Sequence, residues 1–171
     1  MAEKRSNKKL WINAVTFALG AVLLVYLYIK YRVAPDIAFA NLPVETLDGK
    51  PVSMTAYKGK GLLVNFWGTW CPSCVAEMPS MQEANAQLDT SRVMIIAISD
   101  EAPSTISGFA EKKKYGFLFL HSKKSLQELG ISTYPTSYLI DSNGKVILTK
   151  VGETDWAEPS MVERLKALGG D

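Results

Sequence analysis

A Cys-x-x-Cys pair between an apolar run and a helix-like segment is the feature that most constrains this chain. Cys71 and Cys74 are its only cysteines among 171 residues. Apolar residues 62–66 predict a buried strand, and residues 71–88 predict a helix. A helix N-terminus offers free N–H groups and partial positive charge, and both stabilise a thiolate. The position therefore favours Cys71 as the nucleophile and Cys74, one turn later, as the resolving thiol.

The two cysteines also allow a structural zinc site or a purely structural disulfide. Zinc needs four ligands, and the chain offers no third cysteine and a single histidine, His121. A disulfide across two residues closes a very short loop, where constraint of the unfolded chain contributes least to stability. We interpret the pair as redox-active, and we expect no metal and no cofactor.

The charge of the chain is unevenly distributed. Residues 1–40 hold six basic and two acidic residues, whereas the remainder holds 13 basic and 15 acidic residues. A mildly acidic body does not favour nucleic-acid binding. The lysines at 112–114 are expected on the solvated face of a helix.

The basic N-terminus precedes an apolar segment. Residues 10–29 carry no charge, and 20 helical residues span roughly 30 Å, the thickness of a bilayer's hydrocarbon core. Four basic residues precede this segment and two follow it. The positive-inside rule then places the N-terminus in the cytoplasm and the rest of the chain outside, beyond a single-pass anchor in the cell membrane.

A cleaved signal peptide is the alternative, since residues 38–40 (AFA) resemble a cleavage site. The apolar run is longer than the usual 7–15 residues, and residues 30–37, including Lys30 and Arg32, separate it from that site, so we favour an uncleaved anchor. The predicted organisation has four parts: a cytoplasmic basic tail (1–9), a transmembrane anchor (10–29), a linker (30–43) and a folded domain (44–171).

The folded domain alternates strand-like and helix-like segments. Strands are expected at 61–67, 92–99, 117–120, 137–141 and 145–151, and helices at 71–88, 104–115, 125–129 and 159–168. Asp48-Gly49 predicts a hairpin within 44–54, and Asn143-Gly144 predicts a two-residue hairpin turn. This order predicts an α/β sandwich with a mixed sheet and the cysteines at the carboxyl end of a strand.

Three segments resemble thioredoxin-like proteins of the TlpA/ResA/CcmG type. They are residues 66–79 (FWGTWCPSCVAEMP), 134–144 (YPTSYLIDSNG) and 47–53 (LDGKPVS). The resemblance covers roughly residues 40–168. It implies a thioredoxin-like three-layer sandwich with a mixed central sheet, an N-terminal β-hairpin and an extra strand–helix insertion, preceded by one transmembrane helix.

The resemblance also assigns site residues. It implies that Cys71 attacks, that Cys74 resolves, and that Pro135 is a cis-proline facing the redox-active disulfide. Only X-Pro bonds adopt the cis form at modest cost. The substrate-binding surface is expected to comprise three neighbouring residues: Trp70, Pro72 and Tyr134. Trp67 is expected in the core.

Asn65 departs from thioredoxin, which has a buried Asp at this place. Asn does not ionise, so the proton-handling role must move or vanish. Glu77 is the candidate replacement, because it lies three residues after Cys74 on the same predicted helix. A partly buried carboxyl group has a raised pKa and can relay a thiol's proton. The alternative is a surface glutamate that favours the helix dipole.

By resemblance, the expected function is extracytoplasmic, membrane-tethered thiol–disulfide oxidoreduction that reduces client disulfides. A membrane electron donor of the DsbD or CcdA type would keep the protein reduced. Clients would be disulfide-containing proteins such as apocytochrome c or a copper-centre assembly protein.

Three other functions remain open. A disulfide-forming oxidant would use the same residues in the reverse direction. A Sco-like copper-binding chaperone would need Cys-x-x-x-Cys and a later histidine, whereas His121 precedes Pro135. A peroxiredoxin-like peroxidase would need a Thr/Ser-x-x-Cys site with a companion arginine, a pattern that the sequence lacks.

Overall fold

The structure is a computed structural model that describes residues 3–32 and 34–170. Residues 1, 2, 33 and 171, which fall in the predicted tail, linker and domain, lie outside this description. The chain divides into two compact units, one ending at Val33 and one beginning at Ala34.

The first unit contains one helix, α1 (Glu3–Arg32). Its segment Lys8–Tyr28 has a mean hydropathy of 2.1 and is exposed throughout. Within it, the Thr16 hydroxyl donates to the carbonyl of Ile12 at 2.9 Å, which satisfies a polar group inside an apolar helix. By length and composition the segment suffices to cross a membrane, a property that signal sequences share.

The second unit is built on a seven-stranded sheet with the order β2-β1-β5-β4-β3-β6-β7. The strands are β1 (Val44–Glu45), β2 (Pro51–Val52), β3 (Gly61–Phe66), β4 (Val93–Ser99), β5 (Leu118–Ser122), β6 (Thr136–Ile140) and β7 (Val146–Val151). The strands β3, β4 and β5 are parallel, and the other neighbouring pairs are antiparallel. The predicted mixed sheet and N-terminal hairpin are confirmed.

Three helices cover one face of this sheet: α2 (Pro72–Asn85), α3 (Pro103–Lys113) and α4 (Pro159–Ala167). Each begins with proline, whose fixed φ suits the first helical position and whose missing N–H would have no partner there. Met78, Ile106 and Leu165, one from each helix, are fully buried in a single core cluster with Trp67. Trp67 is therefore a core residue, as expected.

The opposite face of the sheet is covered by the segments on either side of the N-terminal hairpin, residues 34–43 and 53–57, and by residues 126–131. Leu42, Met54 and Leu126 are buried there against apolar side chains of β3, β4 and β6. The result is the three-layer arrangement expected from the resemblance. Part of the predicted linker, residues 34–43, contributes to this layer; the domain boundaries themselves stay a prediction.

The interval between the cysteines and Pro135 contains β4, α3 and β5, which confirms the extra strand–helix insertion. The helix predicted at residues 125–129 is wrong: residues 126–130 form hydrogen-bonded turns. Ser125 and Glu128 cap each other as at a helix start. Gly130 then takes φ of 85°, which closes the segment after one turn.

Between β6 and β7, the N–H of Asp141 donates to the carbonyl of Lys145 at 2.9 Å. This pair encloses a turn of three residues, 142–144, so the predicted two-residue turn is wrong. Gly144 N–H donates to the carbonyl of Asp141 at 2.9 Å, and Gly144 has φ of 86°. The Asp141 carboxylate accepts the N–H groups of Asn143 and Lys145 at 3.0 and 2.8 Å. These side-chain bonds stabilise a turn in which only Gly144 is left-handed.

Candidate active site

The candidate site lies where β3 passes into α2. After β3, the N–H of Trp67 still donates to the carbonyl of Ile98 on β4 at 3.1 Å. Cys71 is the N-cap of α2, and its Sγ accepts the N–H of Cys74 at 3.2 Å. A sulfur atom therefore occupies the place where a Ser or Asp oxygen usually receives a free N–H group at the helix start.

Cys71 and Cys74 form a disulfide, with their Cα atoms 5.3 Å apart. Cys74 is fully buried, whereas Cys71 retains 4% of its accessible surface. The hydroxyl of Ser73 lies 3.5 Å from the Sγ of Cys71. Of the two sulfur-bearing residues, only Cys71 offers any surface to an incoming group.

The Tyr134–Pro135 peptide is cis, and Pro135 is buried immediately before β6. The carbonyl of Pro135 accepts the N–H of Gly152, which follows β7, at 2.8 Å. The hydroxyl of Tyr134 reaches the carbonyl of Ile131 at 3.4 Å. These bonds fasten residues 134–135 to the sheet on one side and to residues 126–131 on the other.

Trp70 is 60% exposed although it immediately precedes the buried Cys71. Its ring packs edge-on against Tyr134, with centroids 5.1 Å apart. It also covers Gly68, where an added Cβ would lie 2.6 Å from the indole Nε1. Pro72 is exposed at the first position of α2. The predicted residues Trp70 and Tyr134 are thus brought together as one aromatic surface.

Glu77 is 2% exposed and lies on the same helix as the cysteines. Its Oε1 accepts the side-chain N–H of Asn65 at 2.7 Å. Its Oε2 accepts the backbone N–H of Thr154 at 3.1 Å and the indole N–H of Trp156 at 3.3 Å. The alternative of a surface glutamate is wrong, because three donors converge on a buried carboxyl group.

Burial raises the pKa of Glu77 from 4.5 to about 7. The hydrogen bonds from Asn65, Thr154 and Trp156 lower the pKa, and the charge of Glu153 raises it slightly. Desolvation outweighs the three donors, since the carboxylate loses most of its hydration. Glu77 can therefore gain or lose a proton near neutral pH.

A groove of about 420 Å³ on the protein surface lies beside Glu77. Ser80, Glu153 and Thr154 line it together with Glu77. The Ser80 hydroxyl donates to the carbonyl of Glu77 at 2.8 Å and accepts the N–H of Trp156 at 3.1 Å. The groove thus lies beside the residues that surround Glu77, while Glu77 itself is buried.

His121, the alternative metal ligand considered from the sequence, lies on β5. Its Nδ1 is 3.0 Å from Oε1 of Glu45, the residue opposite it on β1. Both side chains are 18% exposed. The histidine thus ties the N-terminal hairpin to the sheet.

Three residues in contact with the predicted site were missed from the sequence. Thr154 and Trp156 bind Glu77 from 77 and 79 positions further along the chain. Glu101, just after β4, accepts two hydrogen bonds from Thr69. Of the three, only Glu101 could have been found from the sequence. It follows a predicted strand, and the carboxyl ends of neighbouring parallel strands meet at one edge of the sheet.

A mixed sheet that carries a Cys-x-x-Cys disulfide at a strand–helix junction defines a thioredoxin-like protein. The model of the AhpC/TSA family matches residues 32–149. The thiol-disulfide oxidoreductase ResA of Bacillus thuringiensis (strain Al Hakam) is 38% identical over 118 residues, which are 66% of this chain and 67% of that protein. ResA of Halalkalibacterium halodurans is 29% identical over 155 residues, covering 85% and 88% of the two chains.

The fold is also that of solved structures. A thiol:disulfide interchange protein of the thioredoxin family from Chlorobium tepidum TLS superposes with a TM-score of 0.56 and 26% identity. The match covers 78% of this chain and all of that one. The chain therefore belongs to the AhpC/TSA family and, within it, to the ResA-like thiol–disulfide oxidoreductases.

Proposed function

We propose that the protein is tethered to the cell membrane and reduces disulfides in client proteins outside the cytoplasm. The observation that carries this proposal is the placement of the two sulfurs. Cys71 caps α2 and accepts a backbone N–H, while Cys74 is fully buried behind it. One thiol is thereby prepared for attack and the other is shielded until a mixed disulfide has formed.

In the first step, the thiolate of reduced Cys71 attacks a sulfur of the client disulfide. A bond forms between Cys71 Sγ and that sulfur, and the client's S–S bond breaks. The other client sulfur leaves as a thiolate and takes a proton from water. The N–H of Cys74 and the dipole of α2 favour the attacking thiolate.

In the second step, Cys74 loses its proton and attacks the Sγ of Cys71. The mixed disulfide breaks, and the second client sulfur leaves as a thiolate that is then protonated. The client gains two electrons and two protons, and the Cys71–Cys74 disulfide is formed. Glu77 lies one helical turn from Cys74 and titrates near neutral pH, which supports its role as acceptor of the Cys74 proton.

The client is proposed to bind along the surface beside Cys71. Trp70 supplies an exposed ring, supported from below by Gly68 and from the side by Tyr134. Pro72 is exposed next to the attacking cysteine. The Tyr134–Pro135 backbone is proposed to lie alongside the client chain.

The apolar helix α1 supports tethering, and the charges on either side of it support a cytoplasmic N-terminus. Outside the cytoplasm, no cytosolic reductant reaches the pair. A membrane donor of the DsbD or CcdA type is therefore proposed to return the disulfide to two thiols. Clients in cytochrome c or copper-centre maturation fit this arrangement.

The reduction potential of the full-length protein in detergent tests the proposed direction. A value of about −270 mV, near that of thioredoxin, is expected for a reductant. A value of about −120 mV would instead identify a disulfide-forming oxidant. Titration of the reduced protein with copper distinguishes the chaperone: stoichiometric, tight binding would contradict the proposal.

A further inference from the structure

The loop that carries Trp70 is held by the carboxylate of Glu101, which lies just after the neighbouring strand β4. The backbone N–H of Thr69 donates to Oε2 of Glu101 at 2.6 Å, and the Thr69 hydroxyl donates to Oε1 at 2.6 Å. Both oxygens of the carboxylate are engaged, and such two-point, charge-assisted contacts are strong and orientation-specific.

Glu101 is itself fixed by Ser99. The Ser99 hydroxyl donates to Oε2 of Glu101 at 3.2 Å and accepts the N–H of Glu101 at 3.2 Å. Ser99 is fully buried at the end of β4. The carboxylate thus extends from a buried strand end and has a hydrogen bond there that does not involve the loop.

The sheet explains why these residues meet. Phe66 at the end of β3 pairs with Ile98 near the end of β4, and the two strands are parallel. Thr69 and Glu101 each lie three residues beyond this pair, on the same edge of the sheet. A carboxylate here can therefore fix the backbone two residues before Cys71.

Trp70 depends on that backbone. Outside α1, the structure describes two large apolar side chains as exposed, Trp70 and Ile147. Exposed tryptophans on fixed loops commonly anchor protein partners, because they bury a large area at small entropic cost. The Trp70 ring contacts Gly68 and Tyr134. Both contacts require the loop between Gly68 and Cys71 to keep its backbone conformation.

We propose that Glu101 is a positioning residue for client binding: its clamp on Thr69 holds Trp70 against Gly68 and Tyr134. This inference rests on the proposed function, in which Trp70 contacts the client. Glu101 touches neither the client nor the reacting sulfurs. Glu101 lowers KM for a protein disulfide, because it holds Trp70 in the position that binds the client.

The first test is a double-mutant cycle on the full-length protein in detergent, with insulin as the protein disulfide and dithiothreitol as the electron source. Glu101→Ala is expected to raise KM for insulin about fivefold, with most of the loss in kcat/KM carried by KM. Because Glu101 acts through Trp70, Trp70→Ala and the double variant should have the same KM. If the factor by which Glu101→Ala raises KM appears in full on top of that of Trp70→Ala in the double variant, the inference is overturned.

Two further variants distinguish a specific positioning role of Glu101 from a general destabilisation of the fold. Glu101→Gln keeps an oxygen for the Thr69 N–H and a donor for its hydroxyl, so it should restore most of the lost affinity. Asp89→Ala removes a similar carboxylate clamp, on the N–H and hydroxyl of Ser91, from the turn between α2 and β4. An increase in KM for Asp89→Ala as large as that for Glu101→Ala would overturn the inference.

The second test needs no activity. The near-UV circular dichroism of Trp70 is obtained by subtracting the spectrum of the corresponding Trp70→Ala protein. Glu101→Ala should lose most of this signal, whereas an unchanged signal overturns the inference. If wild type leaves insulin unreduced but Glu101→Ala still loses the Trp70 signal, the proposed function fails and the positioning role stands.

Discussion

Asn65 donates a side-chain N–H to Oε1 of Glu77 across 2.7 Å, and both side chains are buried. The second N–H of the same amide donates to the hydroxyl of Ser137 at 2.8 Å. An amide cannot hold an extra proton at neutral pH, so Glu77 is the titrating member of this pair. The residue that replaces the thioredoxin aspartate is thus in direct contact with the carboxyl group proposed to take over its role.

Replacement of Glu77 by glutamine should slow disulfide exchange and alter its pH dependence. The amide cannot accept the Cys74 proton, so the expected loss is about 10–100-fold near neutral pH. Stopped-flow reduction of a disulfide probe across pH measures the effect. Glu111→Gln, at an exposed position on α3, removes the same charge as a control. Superimposable profiles for wild type and Glu77→Gln would exclude a proton relay.

The same carboxyl group should make folding depend on pH. The pKa of Glu77 is raised from 4.5 to about 7 by burial, so the folded protein holds this proton more tightly than the unfolded chain. Its contribution to stability is complete below pH 4.5 and is lost as pH rises through 7.

Urea unfolding of the oxidised protein between pH 4 and pH 8.5 measures this contribution. Relative to Glu77→Gln, wild type should lose about 3 kcal/mol of unfolding free energy across that range. The comparison cancels the other titrating groups, which both proteins share. A constant difference between the two proteins would show that Glu77 has an ordinary pKa.

Trp156→Phe should move the pH midpoint of disulfide exchange upward. The variant removes the indole N–H that favours the ionised form of Glu77, so the pKa of Glu77 should rise by about one unit. Trp67→Phe is the matched control, because the buried indole N–H of Trp67 has no hydrogen-bond partner among the described residues. An equal upward shift in both variants would argue against a specific effect of the Trp156 hydrogen bond.

The order of attack predicts which cysteine variant traps a client. Cys74→Ser should accumulate a mixed disulfide through Cys71, since no resolving thiol remains. Cys71→Ser should not, because Cys74 is fully buried. Non-reducing gels of the two variants give the comparison, and equal trapping would contradict the assignment of Cys71 as the attacking thiol.

The proposed topology predicts that a reporter active only in the periplasm works when fused after Asp171. The full-length protein should sediment with membranes, because α1 stays attached to the domain. N-terminal sequencing of the mature protein provides the check. Soluble protein that begins near Asn41 would mean that a signal peptidase removes the helix.

The sequence predicted the central strands well because they are continuously apolar and bounded by turns. Residues 61–67 were expected as a strand, and β3 covers Gly61–Phe66. The helix expected at residues 125–129 is absent, because Gly130 limits the segment to one turn. Local pattern cannot distinguish a helix from a single turn when the capping residues are the same.

For the site, the sequence located both cysteines, Asn65 and Glu77, since all four lie within ten residues of the Cys-x-x-Cys motif. It could not indicate that Thr154 and Trp156 supply donors to Glu77. That contact arises only when the chain after β7 folds back onto α2. No spacing rule connects residues so far apart.

The N-terminal hairpin ends the sheet at β2, which has two residues and begins with a proline. Proline has no N–H to offer, and so short a strand exposes few free backbone groups to a neighbour. A protein held on a membrane meets its copies at high local concentration in two dimensions. For a domain crowded in this way, the short edge at β2 would disfavour strand-to-strand pairing, which leaves β7 (Val146–Val151) as the longer edge of the sheet.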